Sequence, residues 1–402
     1  MTSTPVFDVI VVGGGIAGSC LGGVLARAGL GVLIVEKEVH FRDRIRGEAT
    51  WPWGVAEARQ TGLTDLLGTA RTAPVRALKR YENGQPVETV WERTAPDAIP
   101  GMGFVHPQLQ EAAFTWAATQ GATTVRPAKA IAFSRNGKPS LTVAMDGRET
   151  EYTARLIVGA DGKLSMTRRW TGGESIADPE NHRMGGVLIS GAVYDRESDN
   201  FTWVPCEAVN WFAAGPEMTR LYLVMSAERL RETGVDRSFA TLVAFAAQHM
   251  PEGALQHAEQ QGPIGFFPNN DIWASRIAGN DVVLIGDAAG APDPTQGHGT
   301  ALLFHDVRHL SELLLSEANW EIATAEFADR RRCAFAVVRE VDCWSNVFFD
   351  TSAEAERLRE GHERARAQDP TLGGFASIEA SGPDGLVADE AARRRFFGED
   401  LA

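Results

Sequence analysis

Between two unbroken apolar runs, Val9–Val12 and Val32–Val35, the chain carries Gly13, Gly15 and Gly18 at the spacing G-x-G-x-x-G. A run of four valine, isoleucine or leucine residues without polar alternation needs cover on both faces, as a strand inside a parallel sheet has. The spacing predicts a helix over 16–28, ended by Gly29, so that 7–37 reads as strand, turn, helix, strand and acid. Each glycine has its own expected use: Gly13 permits the sharp turn, Gly15 lets a ligand approach the backbone, and Gly18 lets the helix close on the strand. The unpaired N–H groups and the dipole at the helix start favour a diphosphate, and Glu36 is placed to accept from ribose hydroxyls. The stretch is therefore expected to be a βαβ unit for a dinucleotide.

The rest of the composition narrows the partners. With 402 residues, 44% of them apolar, the chain can bury a large core or two modules. Its 39 basic and 53 acidic residues leave a net charge of −14, which disfavours nucleic acid and anionic membrane, since both reward Lys and Arg. Cys20, Cys206, Cys333 and Cys343 are scattered, with no C-x-x-C and no histidine clustering. Neither a metal site nor a disulfide framework is expected, and the setting is reducing and cytoplasmic. The start, MTSTPVFDVI, lacks the basic region of a signal peptide, and no apolar run is long enough for a membrane span.

Along the chain, the polar and aromatic stretch 41–54 reads as a loop, in which Arg44 and Arg46 can neutralise a diphosphate. A helix is expected over 55–67, and a strand pair over 75–90 turning at Asn83-Gly84. A further helix spans 107–120, and a hairpin joins 130–133 to 141–145 through Asn136-Gly137. The short apolar strand 155–159 delivers Ala160-Asp161-Gly162, which puts a carboxylate at the carboxyl edge of the sheet. From 184 to 226 the pattern changes to alternating strands, read as an antiparallel sheet, with a helix over 239–248 and a strand over 264–268 after it. The stretch 281–303 restores the first character: a strand, Gly286-Asp287, a proline loop, and Gly297 and Gly299 opening a helix. Asp287 can accept from a sugar-alcohol chain, and the N–H groups of 297–301 can face a developing anion. Helices are expected to continue to about 349, and 351–402 reads as a peripheral tail. No internal repeat is present.

The three strand-end motifs GGGIAG with Glu36, GADGKLSMTR, and VVLIGDAAGAPDPTQGHGTA, with a sheet interposed, resemble the FAD-dependent aromatic hydroxylases of the p-hydroxybenzoate hydroxylase type. The resemblance covers roughly 6–345. It implies an α/β fold: a Rossmann-like FAD-binding domain (1–75, 101–183 and 270–350), an inserted antiparallel-sheet substrate domain (76–100 and 184–269), and a helical C-terminal region. It also implies noncovalent FAD. Gly13, Gly14, Gly15, Ala17, Gly18, Glu36 and Lys37 would hold the ADP half, with Arg46 and His106 touching the cofactor and Ala130 contacting adenine. Asp161, in a motif ended by Arg168, would serve FAD and the nicotinamide. Gly286 and Asp287 would bind the ribityl chain, and Pro294, Gly297, His298 and Gly299 would lie beside the ring. The sequence departs from the pattern at three positions: Gly290 replaces the histidine of GDAAH, His298 a frequent glutamine, and His106 an FAD-binding arginine.

The implied activity is a monooxygenase in which NAD(P)H reduces the flavin and a flavin C4a-hydroperoxide hydroxylates an aromatic or polycyclic small molecule. No side chain need act as nucleophile, and His298 is the only candidate base. Trp53, Trp203, Trp211, Tyr222, Phe266 and Phe267 are candidates for the pocket wall. Arg220, in TRLYLVMS, resembles an arginine that binds a substrate carboxylate. Alternatives on the same scaffold are a flavin-dependent halogenase, a prenyl-chain reductase, or a non-catalytic FAD-binding ligand sensor. WPWGVA at 51–56 approaches the halogenase pattern W-x-W-x-I-P but lacks its final proline.

Overall fold

The two apolar runs flanking the glycine turn lie side by side: Val9–Val12 pairs in parallel with Val32–Val35, and with Leu156–Gly159 on its other side. The computed structural model describes residues 6–45, 47–89, 99–204, 206–350, 352–368, 378 and 381–400. The full sheet has the order Ala278–Gly279, Val282–Leu284, Leu156–Gly159, Val9–Val12, Val32–Val35, Thr123–Val125. All its pairings are parallel except that of the edge strand Ala278–Gly279. Val9 and Val11 face Ile16–Arg27, His106–Thr119 and Gly299–Ser316. Ile10 and Val12 face a layer containing Lys129–Asn136 and Lys138–Met145. Cover on both faces is why these strands carry no polar residue; burying each such side chain stabilises the fold by about 1.5–3 kcal/mol.

A second sheet, of eight strands, contains His182–Ser190, Ser198–Val204, Glu207–Ala213 and Thr219–Met225. Here side chains alternate. Val187, Val209, Trp211, Leu221 and Leu223 pack with Leu242 and Phe245 of the helix Phe239–Ala246, while Met184, Ala208, Phe212, Tyr222 and Val224 form the opposite face. The sheet is not wholly antiparallel as expected: Ser198–Val204 runs parallel to Ala77–Glu82. The latter belongs to a hairpin from more than 100 residues earlier, so no tight turn dictates its direction. That hairpin does turn at Asn83 and Gly84, with φ of 49° and 73°, the left-handed pair of a type I′ turn.

Two local expectations need correction. The helix expected over 55–67 is two, Pro52–Gln60 and Thr64–Thr69. Pro52 starts the first inside the stretch read as loop, and Gly62, at φ 71°, lies between them. The tail is not peripheral either. Its helices Ala353–Gln368 and Glu390–Phe396 dock on the body, and Ile378, Phe396 and Phe397 join Trp51, Trp53, Leu78 and Trp344 in one buried cluster. A Cβ on Gly361 would lie 2.1 Å from the Phe397 carbonyl oxygen, so the tail helices meet at backbone contact. Charge on the outer face of Ala353–Gln368 masks an inner row of Ala355, Gly361, His362 and Ala365. Residues 369–377 of the Gly/Pro/Ser-rich stretch lie outside the described residues. Among the described residues, no helix is long and apolar enough to cross a membrane.

Candidate active site

Gly13, Glu36, Ala160 and Ile285 each sit just past the carboxyl end of a parallel strand, so their loops converge at one edge of the sheet. A cavity of about 1070 Å³ opens there and continues across the second sheet. The glycines act as separate devices. Gly13 has φ 109°, and a Cβ there would stand 2.3 Å from the Ala160 oxygen; one on Gly18 would stand 2.0 Å from the Gly13 oxygen. At Gly15 the nearest atom would be Gln110 Nε2 at 3.6 Å, which leaves that backbone open to the cavity. The helix Ile16–Arg27 has no side-chain cap and no acid in its first turn, so its amino end is left for an anionic ligand. Glu36 lines the cavity but also braces the turn, accepting from the N–H of Gly14 and of Glu38, each at 2.7 Å. Gly14 and Gly18 are packing positions outside the lining.

The other two motifs are tied together behind the cavity. Asp161 lines it, yet its carboxylate accepts from the N–H groups of Met166 and Thr167 at 2.8 and 3.1 Å and from Thr167 Oγ1 at 2.7 Å. The same carboxylate thereby also shapes its own loop. Arg168 links that loop to the next, donating to the carbonyls of Asp287 and Ala288 at 2.7 and 2.8 Å. Gly286 donates its N–H to Asp306, which pairs with buried Arg331. Arg331 also donates to the Gly290 carbonyl, and a Cβ on Gly290 would already stand 3.2 Å from the Phe335 ring, which crowds the space a histidine there would need. The Asp287 carboxylate has no hydrogen-bond partner among the described residues, and Asp287 lines the cavity with Gly286, Pro294, Gly297 and Gly299. Gly299 begins Gly299–Ser316, and a Cβ on it would meet nothing within 4 Å.

Ala17, Lys37, His106 and Ala130 also line the cavity, and His106 Nδ1 donates to the Gly47 carbonyl at 2.7 Å. Arg46 lies outside the described residues; its neighbour Arg44 reaches the lining, paired with Glu38. His298 does not reach it. Its ring is fully buried under the helix start, 3.6 Å from Asp342 and beside Trp51. Burial also pushes its pKa down to about 3; closed off from the cavity, the ring is a packing residue.

On the second sheet the alternation sorts the expected wall. Trp203, Tyr222 and Phe267 line the cavity. Trp211 and Phe266, at odd register to them, pack into the opposite core, and Trp53 turns into the tail cluster against His305. Trp51, not Trp53, faces the cavity, its Nε1 donating to the Gln296 carbonyl at 2.8 Å. Arg220 is fully buried outside the cavity lining, with its Nη2 held by Glu48 and by Asp43, the latter at 3.0 Å. An internal ion cluster therefore replaces the expected carboxylate anchor.

Sequence reading missed several lining residues. Glu48, whose carboxyl burial lifts to about 7 against the pull of Arg220 and the hydrogen bond from Tyr222, is one. Asp199, Phe201, Asn210 and Phe212 are others, legible only through their register with Trp203 and Tyr222. Phe348 and, from the tail helix, Arg359, His362, Glu363 and Arg366 complete the wall; nothing in the sequence pointed to them.

The residues present fit an FAD. An uncapped helix start and an open glycine stand at one end, an unpartnered carboxylate in the middle, and a second helix start beside an aromatic cleft at the other. The comparisons agree. Residues 6–340 match the family described as FAD binding domain. Among curated proteins, the chain is 28% identical over 356 residues to a menaquinone reductase of Mycobacterium tuberculosis, covering 83% of each. It is 26% identical over 326 residues to the ubiquinone hydroxylase UbiL of Rhodospirillum rubrum, covering 77% of this chain and 73% of that one. Among solved structures, a triple mutant of the flavin-dependent brominase Bmp2 superposes with a TM-score of 0.77 at 17% identity, over 98% of this chain and 100% of that one. At that identity the likeness is one of fold.

Proposed function

Because the chain belongs to the FAD binding domain family, we propose that it is a monooxygenase that holds FAD noncovalently, draws electrons from NAD(P)H and uses O2 to hydroxylate an aromatic or polycyclic small molecule. One observation carries this reading: a single cavity joins the glycine turn, the Asp287 loop and the aromatic face of the second sheet. When bound, FAD would supply the transfer of electrons from the nicotinamide to dioxygen. The chain's own part is to bind, to orient and to exclude water.

Gly13, Gly15 and the start of Ile16–Arg27 would seat the diphosphate, Glu36 the ribose and Asp287 the ribityl hydroxyls. Gly299 and Thr300, at the start of Gly299–Ser316, line the cavity, and the N–H groups of that helix start would stabilise negative charge there. Phe201, Trp203, Phe212, Tyr222, Phe267 and Phe348 wall the substrate end, and the tail helix shields it from solvent. The four cysteines are free thiols, in keeping with a cytoplasmic setting.

The test is direct. The purified protein should be yellow and release FAD on denaturation. A small-aromatic panel should stimulate NAD(P)H oxidation, with O2 consumed and a product heavier by one oxygen. A folded protein that neither carries nor takes up FAD defeats the reading. The likeness to a menaquinone reductase favours a second one, a reductase on the same scaffold, such as the prenyl-chain reductase held open above. In that case electrons would be used without O2 and the product would gain two hydrogens.

A further inference from the structure

The loop from Gly286 to Gly290 is gripped from outside, and each of its carbonyls has a donor. The Ala289 N–H serves Gly286 at 2.9 Å and the Ala274 N–H serves Ala289 at 3.0 Å. Arg168 serves Asp287 and Ala288, and Arg331 Nη2 serves Gly290 at 2.9 Å. At the head of the loop the Gly286 N–H donates to Asp306 Oδ2 at 2.7 Å. The Asp287 carboxylate alone is left without a partner among the described residues, and Asp287 lines the cavity.

Asp306 and Arg331 hold the two ends of this loop and hold each other, with Arg331 Nε 2.7 Å from Asp306 Oδ1. They come from different helices, Gly299–Ser316 and Trp320–Ser345, and are 0% and 1% exposed. Neither lines the cavity. Burial pushes the Asp306 carboxyl up, with Arg331 the chief pull the other way. Apolar residues of similar volume often stabilise a core as well as a buried ion pair does, so packing gives no reason for this one. What apolar residues cannot supply is an acceptor for Gly286 and a donor for Gly290, which fix the backbone on either side of Asp287. Asp306 also stands about 10 Å along the helix opened by Gly299, so one rigid element sets both that helix start and the head of the Asp287 loop.

We propose that the Asp306–Arg331 pair is a positioning device for the cofactor: it fixes the Asp287 carboxylate where the ribityl hydroxyls of FAD meet it, so that FAD affinity depends on two residues outside the cavity lining. The proposal rests on Asp287 holding the ribityl chain.

The experiment is a double-mutant cycle on the FAD-loaded protein, with dissociation constants read from the fluorescence of FAD released on dilution and folding checked by urea unfolding. Removing one partner alone strands a buried charge, so the pair is replaced together, Asp306→Leu with Arg331→Met. Asp287→Ala should weaken FAD binding about tenfold or more, the scale of a hydrogen bond to a charged group. The paired replacement should weaken it by a similar factor when Asp287 is present, and by less than about twofold in the Asp287→Ala background, where the group it positions is gone. Arg331→Lys, a point charge that cannot serve Asp306 and the Gly290 carbonyl as a fork does, should give a smaller loss that likewise vanishes in that background. Unchanged affinity in the paired replacement overturns the proposal, and so does an equal loss in both backgrounds, the mark of a merely structural part. Unchanged affinity in Asp287→Ala removes the ribityl assignment and the proposal with it; a folded wild type without FAD defeats the cofactor reading itself, which sets that failure apart from the other two.

Discussion

The two sheets solve opposite problems with the same kinds of residue. In the parallel sheet both faces are covered, every residue of Val9–Val12 and Val32–Val35 is buried, and only Val12 and Val35, at the carboxyl ends, touch the cavity. Recognition falls to the turns beyond the strands: glycine backbone, helix starts, Glu36 and Asp287. In the second sheet one face is core and the other is cavity, so recognition falls to alternate side chains along the strands themselves. The difference teaches where substitutions should tell. In the first sheet the turns are intolerant and backbone groups share the binding with two carboxylates; in the second, adjacent residues differ in kind.

The largest effect is expected at the turn. Gly13→Ala places a Cβ 2.3 Å from the Ala160 oxygen at a φ of 109°, a strain of roughly 1–3 kcal/mol before the clash is counted. The protein should purify without FAD, measured by absorbance of the denatured supernatant. Normal flavin content would break the contrast between backbone and side-chain recognition.

Next comes the docked tail. Phe396 is buried in the cluster with Trp344 and Trp51, and Phe396→Ala should cost about 3 kcal/mol by urea unfolding. A cost of a few tenths would return the tail to the periphery and leave the cavity wall to the two sheets.

The smallest effect separates neighbours. Phe267→Ala, on the cavity face, should weaken 2-naphthol binding several-fold, the scale of about 1 kcal/mol for a lost aromatic contact. Phe266→Ala, on the core face, should leave that affinity within twofold. The opposite ranking would mean the strand register at Gly265–Asn269 is wrong.

Much of the cofactor half was legible because its signals are local. Gly13 and Gly18 each answer to a contact within one supersecondary unit or its immediate neighbour strand, Gly15 is open to the cavity, and Asp287 follows closely on its strand. The miss at His298 is a contact between distant elements, since its ring turns under the helix toward Asp342, and the departure noted at Gly290 finds its reason in another, the close Phe335 ring. In the substrate half, composition announced aromatic strands but not their phase. A slip of one residue exchanges the two faces, so Trp211 and Trp203 looked equivalent until pairing fixed which points where. Arg220 failed for another reason. Its partners Glu48 and Asp43 come from a loop more than 170 residues away, and burial of an ion cluster leaves no local trace.

By itself the sequence determined the nucleotide-binding unit, the order of strands and helices through most of the chain, and the residues at the strand ends, because periodicity and turn chemistry act over a few residues. Only the tertiary structure decided which aromatic rings face the cavity, that Arg220 and His298 are internal, and that the tail walls the site. Those outcomes depend on register and on contacts between remote segments, which side-chain type alone does not encode.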